Sequence, residues 1–260
     1  MGDHQGGDPV LSHQPLGHLQ ADLERAQVTV VYPHQVRARF EREAKLAASL
    51  IHPNVIQIYS FGIEMGIPYF AMEYVDGEDL GVKLKKGQKF DIKESVKIVR
   101  DVAKALECAH RNNMVHRDIK PSNIMVTSDN VVKVMDFGLA KAARVRTSIT
   151  QKGLIMGTPP YMSPEQGKGE ELDVRSDMYS LGIVFYELLT GRVPFKADTP
   201  TALIYQHIYE KPAPPRDLNP EIPETLENIV MKLLEKNPDD RYPDPSALLA
   251  DLDAYETGST

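Results

Sequence analysis

Hydrophobic positions along this chain fall into stretches of helical period separated by short stretches of strand period. Val36, Phe40, Glu43, Ala47 and Leu50 share one helical face, and His52-Pro53 ends that helix. Strands are expected at 55–59 and 68–73, joined by a turn carrying Gly62 and Gly66. Ile92, Val96, Val99, Val102, Ala103, Leu106 and Ala109 predict a long amphipathic helix that stops near Asn112-Asn113. Ile124-Met125-Val126 and Val131-Val132-Lys133-Val134 read as two short strands around a Ser128-Asp129-Asn130 turn. The stretch 177–190 is apolar on most sides, which marks a buried helix, and Gly191 stands where a left-handed cap belongs. A connector with Pro212, Pro214 and Pro215 leads to a last helical region from Leu226. Few strands early and many helices late make this an α+β chain.

Residues 1–35 have a different character. They hold His4, His13, His18 and His34 but no lysine, and the first lysine of the chain is Lys45. Val28-Thr29-Val30-Val31-Tyr32 predicts one short strand there. Gly2, Gly6, Gly7 and Gly17 do not form a G-x-G-x-x-G pattern.

Composition narrows the function classes. A length of 260 residues suits one large domain or two lobes. A net charge of -7 argues against a general nucleic-acid binder. The single cysteine, Cys108, excludes an internal disulfide and fits a reducing cytoplasm. Its helical apolar surroundings read as core rather than as a nucleophile's setting. No apolar run approaches the roughly 18–20 residues that span a bilayer. Neither a leader pattern nor a complete myristoylation site is evident, since Gly6 stands where Ser or Thr is wanted. A cytoplasmic protein without a membrane segment is expected.

The chemistry sits around the short hairpin. Val115-His116-Arg117-Asp118-Ile119-Lys120-Pro121-Ser122-Asn123 precedes it and Asp136-Phe137-Gly138 follows it. Asp118, Lys120, Asn123 and Asp136 can therefore converge at its ends. Phosphoryl transfer needs such a set. One carboxylate accepts a hydroxyl proton and an ammonium neutralises the moving phosphate, while an amide and a second carboxylate hold magnesium. In this order and separation the two motifs resemble the H-R-D-x-x-x-x-N catalytic loop and the D-F-G segment of eukaryotic-like bacterial serine/threonine protein kinases. The resemblance implies ATP and Mg²⁺ as cofactors and a protein hydroxyl as acceptor. It makes Asp118 the catalytic base, Lys120 the γ-phosphate contact, and Asn123 and Asp136 the metal ligands.

Other stretches carry the same resemblance. Phe40-Glu41-Arg42-Glu43-Ala44, with Leu50-Ile51-His52-Pro53-Asn54, resembles the family's regulatory helix and its exit, with Glu43 as the helix glutamate. Met72-Glu73-Tyr74-Val75-Asp76-Gly77 resembles the hinge. That match makes Met72 the gatekeeper, puts the adenine against main chain near Glu73 and Val75, and adds Met125 to the nucleotide site. Ser163-Pro164-Glu165 resembles the close of an activation loop, with Ser for the usual Ala, and Gly157-Thr158-Pro159-Pro160-Tyr161 precedes it. Thr158 with Lys120 resembles the serine/threonine class. Thr147, Ser148 and Thr150 lie among Arg144, Arg146 and Lys152. A phosphate there, Thr150 being favoured, would add about -1.5 to -2 charges and pair with Arg117. By the same likeness Asp177 anchors the catalytic-loop backbone and Arg241 pairs with Glu165.

The likeness runs from about Val36 to Tyr255 and implies a protein kinase-like two-lobe fold. Its divisions would be a divergent or non-native segment 1–35, a reduced β N-lobe 36–75 up to the hinge, a large helical C-lobe 76–255, and a tail 256–260. Members of the family also carry a Gly-rich loop and a strand lysine paired to the helix glutamate. In the window Leu19–Tyr32 this chain has neither. Arg25 is the only base there, and its rigid fork is no simple substitute for an ammonium. Three readings follow: a cytoplasmic serine/threonine kinase, a pseudokinase serving as a regulatory binding module, and a truncated or mis-started kinase frame with little activity.

Overall fold

The computed structural model describes residues 37–64, 67–137 and 159–258. The segment 1–35, the helix start at Val36, the site candidate Thr158 and the phosphate-acceptor candidates Thr147, Ser148 and Thr150 lie outside them.

The first helix, α1, spans Arg37–Ala48. It buries Ala44 and Ala47, and Leu50 just beyond it is buried too. Two antiparallel strands follow, β1 at Ile58–Glu64 and β2 at Ile67–Met72, with Phe61 opposite Phe70. This corrects the expected 55–59 and 68–73. Gly62 is not in a turn but inside β1, opposite Tyr69, and a Cβ there would lie 2.9 Å from the Tyr69 ring. A glycine that reads as punctuation is here what lets an aromatic ring lie over the strand. Val55 joins neither strand. It forms a lone parallel bridge to Val134, flanked by the Ile56 N–H on the Val134 carbonyl and the Val134 N–H on the Asn54 carbonyl.

A second sheet has the order β3-β4-β5, all antiparallel, from β3 (Gly77–Asp79), β4 (Ile124–Thr127) and β5 (Val132–Val134). β4 and β5 are the expected hairpin. Between β3 and β4 run α2 (Leu80–Lys85), capped by Asp79, and the long α3 (Ile92–Arg111), capped by Asp91. α3 buries the predicted stripe from Val96 to Ala109 and ends at Asn112, with Asn113 in the left-handed region. Cys108 is half-buried on it, and burial raises its thiol.

The remainder is helical: α4 (Pro164–Lys168), α5 (Val174–Thr190), α6 (Pro200–Tyr209), α7 (Glu224–Leu233) and α8 (Pro245–Thr257). α5 begins three residues before the expected Asp177, because the Asp173 carboxylate accepts the Arg175 N–H and starts the helix there. It is buried almost throughout and ends on Gly191 at φ 76°. The single helical region expected from Leu226 is two helices, with Pro238 and Pro245 each opening a new turn. α8 packs along α3, which packs on α5, and one continuous apolar core runs from Ala44 to Leu252. The class is α+β as expected, with all five described strands before residue 135 and only helices and short turns beyond among the described residues. Among the described residues no helix is long and apolar enough to cross a membrane.

Candidate active site

The loop between α3 and β4 is held by α5. Asp177, in the first turn of α5, accepts the His116 N–H on Oδ2 and the Arg117 N–H on Oδ1, both at 2.7 Å. Burial pushes its carboxyl up to about 7, against the pull of those two donors. Arg117 stands at φ 70° and Asp136 at φ 65°, a region that non-glycine residues occupy only when their surroundings hold them.

His116 is buried and joins the two sides of the site. The Asp118 N–H donates to its Nδ1 at 3.2 Å, which leaves Nε2 to donate to the Met135 carbonyl at 2.8 Å. The ring is therefore neutral, and burial lowers its pKa to about 4. It also meets Phe137 edge-on at 4.7 Å. Residues 118 and 135–137 are thus tied through one imidazole.

Asp118, Lys120 and Asn123 meet directly. Lys120 Nζ donates to Asp118 Oδ2 at 2.7 Å. Asn123 Nδ2 donates to the Asp118 carbonyl at 2.8 Å and faces Oδ2 at 3.4 Å. The Met135 N–H donates to the Asn123 carbonyl, which brings Asp136 alongside. Burial raises the Asp136 carboxyl, the charge of Asp118 adds to this, and Lys120 opposes it. The Asp136 carboxylate beside the Asn123 amide suits a hard cation that keeps water and phosphate oxygens as its other ligands. Among the described residues no cluster of three or more His, Cys, Asp or Glu side chains offers an all-protein cage.

Other expected residues lie on α1, at the end of β2 and just after it, and on β4. Met72, at the end of β2, lines a small pocket with Ala47, Ile58, Asp136 and Phe137. Glu43 is half-buried on α1, one turn before Ala47. Glu73 joins the two sheets: its carboxylate pairs with Lys133 at 2.7 Å and accepts the Gln57 N–H at 3.2 Å, while its own N–H donates to the Gln57 carbonyl. Val75 follows, half-buried, and Met125 sits directly across from Lys133 in the β4–β5 ladder. Farther off, Arg241 grips Glu165 with two bonds, Nη1 to Oε1 at 2.8 Å and Nη2 to Oε2 at 2.9 Å. Burial would raise the Glu165 carboxyl, but Arg241 holds it below the usual range.

Two contributors escaped the sequence reading. Lys133 stands between buried Val132 and Val134, so strand alternation alone puts it on the opposite face, where it meets Glu73. Gln166 completes a Ser-x-x-Gln capping box with Ser163, a pattern legible in the sequence, yet its amide also reaches the Arg117 carbonyl.

Comparison with known proteins identifies the family. The family model described as protein kinase domain matches residues 27–250. The serine/threonine-protein kinase PknB of Mycobacterium leprae is 44% identical over 224 residues, 85% of this chain and 36% of that protein. A probable serine/threonine-protein kinase of Streptomyces coelicolor is 44% identical over 245 residues, 92% of this chain and 35% of that one. A further one from Clostridium acetobutylicum is 42% identical over 214 residues, 82% and 32% of the two chains. The chain spans about a third of the length of these curated relatives. With the matched domain covering most of its length, the chain belongs to the protein kinase family, among the eukaryotic-like serine/threonine kinases of bacteria.

Proposed function

We propose that this chain is a protein serine/threonine kinase that moves the γ-phosphate of ATP to a hydroxyl on a protein substrate. The observation that carries the reading is the convergence of Asp118, Lys120 and Asn123 on one another, with Asp136 alongside. Asp118 is the base that takes the hydroxyl proton. Lys120, which shares Asp118 Oδ2 in the resting site, neutralises charge on the group in transfer. Asn123 and Asp136 would hold Mg²⁺, which when bound offsets the negative charge of the β- and γ-phosphates. Met72, Met125 and the main chain at Glu73 and Val75 would hold the adenine. Thr158 would complete the acceptor side, and Thr150, Thr147 or Ser148 would take a regulatory phosphate facing Arg117. The division into lobes at residue 75 and a cytoplasmic location belong to the same reading.

One sequence feature favours a second reading, a regulatory module that binds without efficient turnover. No lysine precedes Lys45 in this sequence, whereas the family places a strand lysine ahead of the helix that carries Glu43. Losing one preorganised charge contact costs about 10²–10³ in rate. Mg-ATP binding followed by calorimetry, beside Asp136→Asn, separates the requirements. Binding that needs magnesium and Asp136 supports the nucleotide site. A folded protein with no Mg-ATP binding removes the kinase reading.

A further inference from the structure

The peptide that joins Arg117 to Asp118 is held at both of its polar atoms. Its N–H, that of Asp118, donates to His116 Nδ1 at 3.2 Å. Its carbonyl, that of Arg117, accepts from Gln166 Nε2 at 2.8 Å, across a sequence separation of 49 residues. The same amide works at its other end. Gln166 Oε1 accepts the Ser163 N–H at 2.8 Å, and the Gln166 N–H donates to Ser163 Oγ at 3.3 Å. One side chain thus joins the start of α4 to the peptide that carries Asp118. Gln166, Arg117, Asp118, Tyr161 and Ser180 together line one small cavity beside that peptide.

The geometry matters because Arg117 is in the left-handed region at φ 70°. A residue with a Cβ stays there only where its neighbours fix both flanking peptides. Asp177 fixes the N–H before it, and Gln166 fixes the carbonyl after it. Only a carboxamide serves both ends of this bridge, since one atom accepts and the other donates.

We propose that Gln166 is a positioning residue for phosphoryl transfer: it sets the plane of the Arg117–Asp118 peptide, and so the aim of the Asp118 carboxylate, and couples both to the Ser163–Lys168 segment. The assignment rests on Asp118 acting as the base. It adds a role that the capping box does not require.

Glutamate at this position separates the two roles. Glu closes a capping box as well as Gln does, and its charge suits a helix N-terminus. It cannot donate to the Arg117 carbonyl, so an unprotonated oxygen would face an oxygen. Gln166→Ala removes both bonds.

The test compares wild type, Gln166→Glu and Gln166→Ala by melting temperature, by amide hydrogen exchange across residues 115–119, and by steady-state kinetics. Gln166→Glu is expected to melt within about 2 °C of wild type. Its exchange across 115–119 is expected to be roughly tenfold faster. Its kcat is expected to fall about 10–100-fold with KM for ATP changed less than about threefold. Wild-type exchange across 115–119 in Gln166→Glu overturns the proposal. So does a parallel loss of melting temperature and turnover in both variants, which would make Gln166 a helix cap alone. If wild type itself transfers no phosphate, the kinase reading fails, and the exchange comparison still decides whether the bridge holds the peptide.

Discussion

Asp177 Oδ1 accepts the Arg117 N–H at 2.7 Å, and with Oδ2 on His116 it fixes the backbone of the loop between α3 and β4 from a buried helix. Both carboxylate oxygens are used as acceptors. Asp177→Asn puts a donor against one of these two N–H groups. About 2–4 kcal/mol of stability should be lost, read from urea denaturation, with turnover falling alongside. Unchanged stability would mean that the loop finds another anchor.

Arg241 spends its guanidinium on Glu165 and on three carbonyls, those of Arg175, Glu235 and Lys236. Removing it by Arg241→Ala leaves a buried carboxylate without its cation. The expected loss is about 3–5 kcal/mol. Arg241→Lys should rescue little, because one ammonium cannot occupy a five-donor fork. Equal melting temperatures for Arg241→Lys and wild type would refute that geometry.

His207 gives the fold an acid sensitivity. The ring is buried between Tyr179 and Phe195 near Lys236, and burial first, then that lysine, lowers its pKa to about 3. The unfolded chain takes up a proton near pH 6.5 while the folded one does not. The stability of the neutral ring is therefore complete above that pH and lost as pH falls below it. Between pH 6.5 and 5 the loss should be on the order of 2 kcal/mol. Asp177, whose carboxyl is raised, works the other way over the same range, so the comparison must be with His207→Gln. That variant should show a shallower acid-side fall than wild type. Identical slopes would remove His207 from the account.

Lys133 and Glu73 pair at 2.7 Å with both side chains mostly covered, which ties the stretch after β2 to β5. Lys133→Met should raise the Kd for ATP about three- to tenfold while costing roughly 1 kcal/mol of stability. A stability loss without any change in ATP affinity would limit the pair to a structural brace.

The residues proposed to carry the chemistry stand close together in the sequence. Asp118, Lys120 and Asn123 occupy six consecutive positions, and Asp136 needs only one short hairpin to reach them. The long helices were legible, since Ile92–Arg111 keeps a strict apolar period and Gly191 marks a stop. β3 was not, because Gly77-Glu78-Asp79 has no apolar alternation and is a strand only through its main-chain pairing with β4. Gly62 misled for the opposite reason, since its cause, the Tyr69 ring, lies on another strand. The double use of Gln166 depends on where Arg117 ends up after folding, and no local pattern records that.

The central claim is phosphate transfer by the Asp118 site, and the direct measurement is incorporation of labelled γ-phosphate from Mg-ATP into a generic basic protein. Wild type and Asp118→Asn would run side by side, with phosphoamino-acid analysis of the product. The account predicts phosphoserine or phosphothreonine from wild type and at least about a hundredfold less from Asp118→Asn. Equal incorporation by the two proteins, or none from a folded wild type that binds Mg-ATP, would contradict it. The second of those results would leave a nucleotide-binding regulatory module in its place.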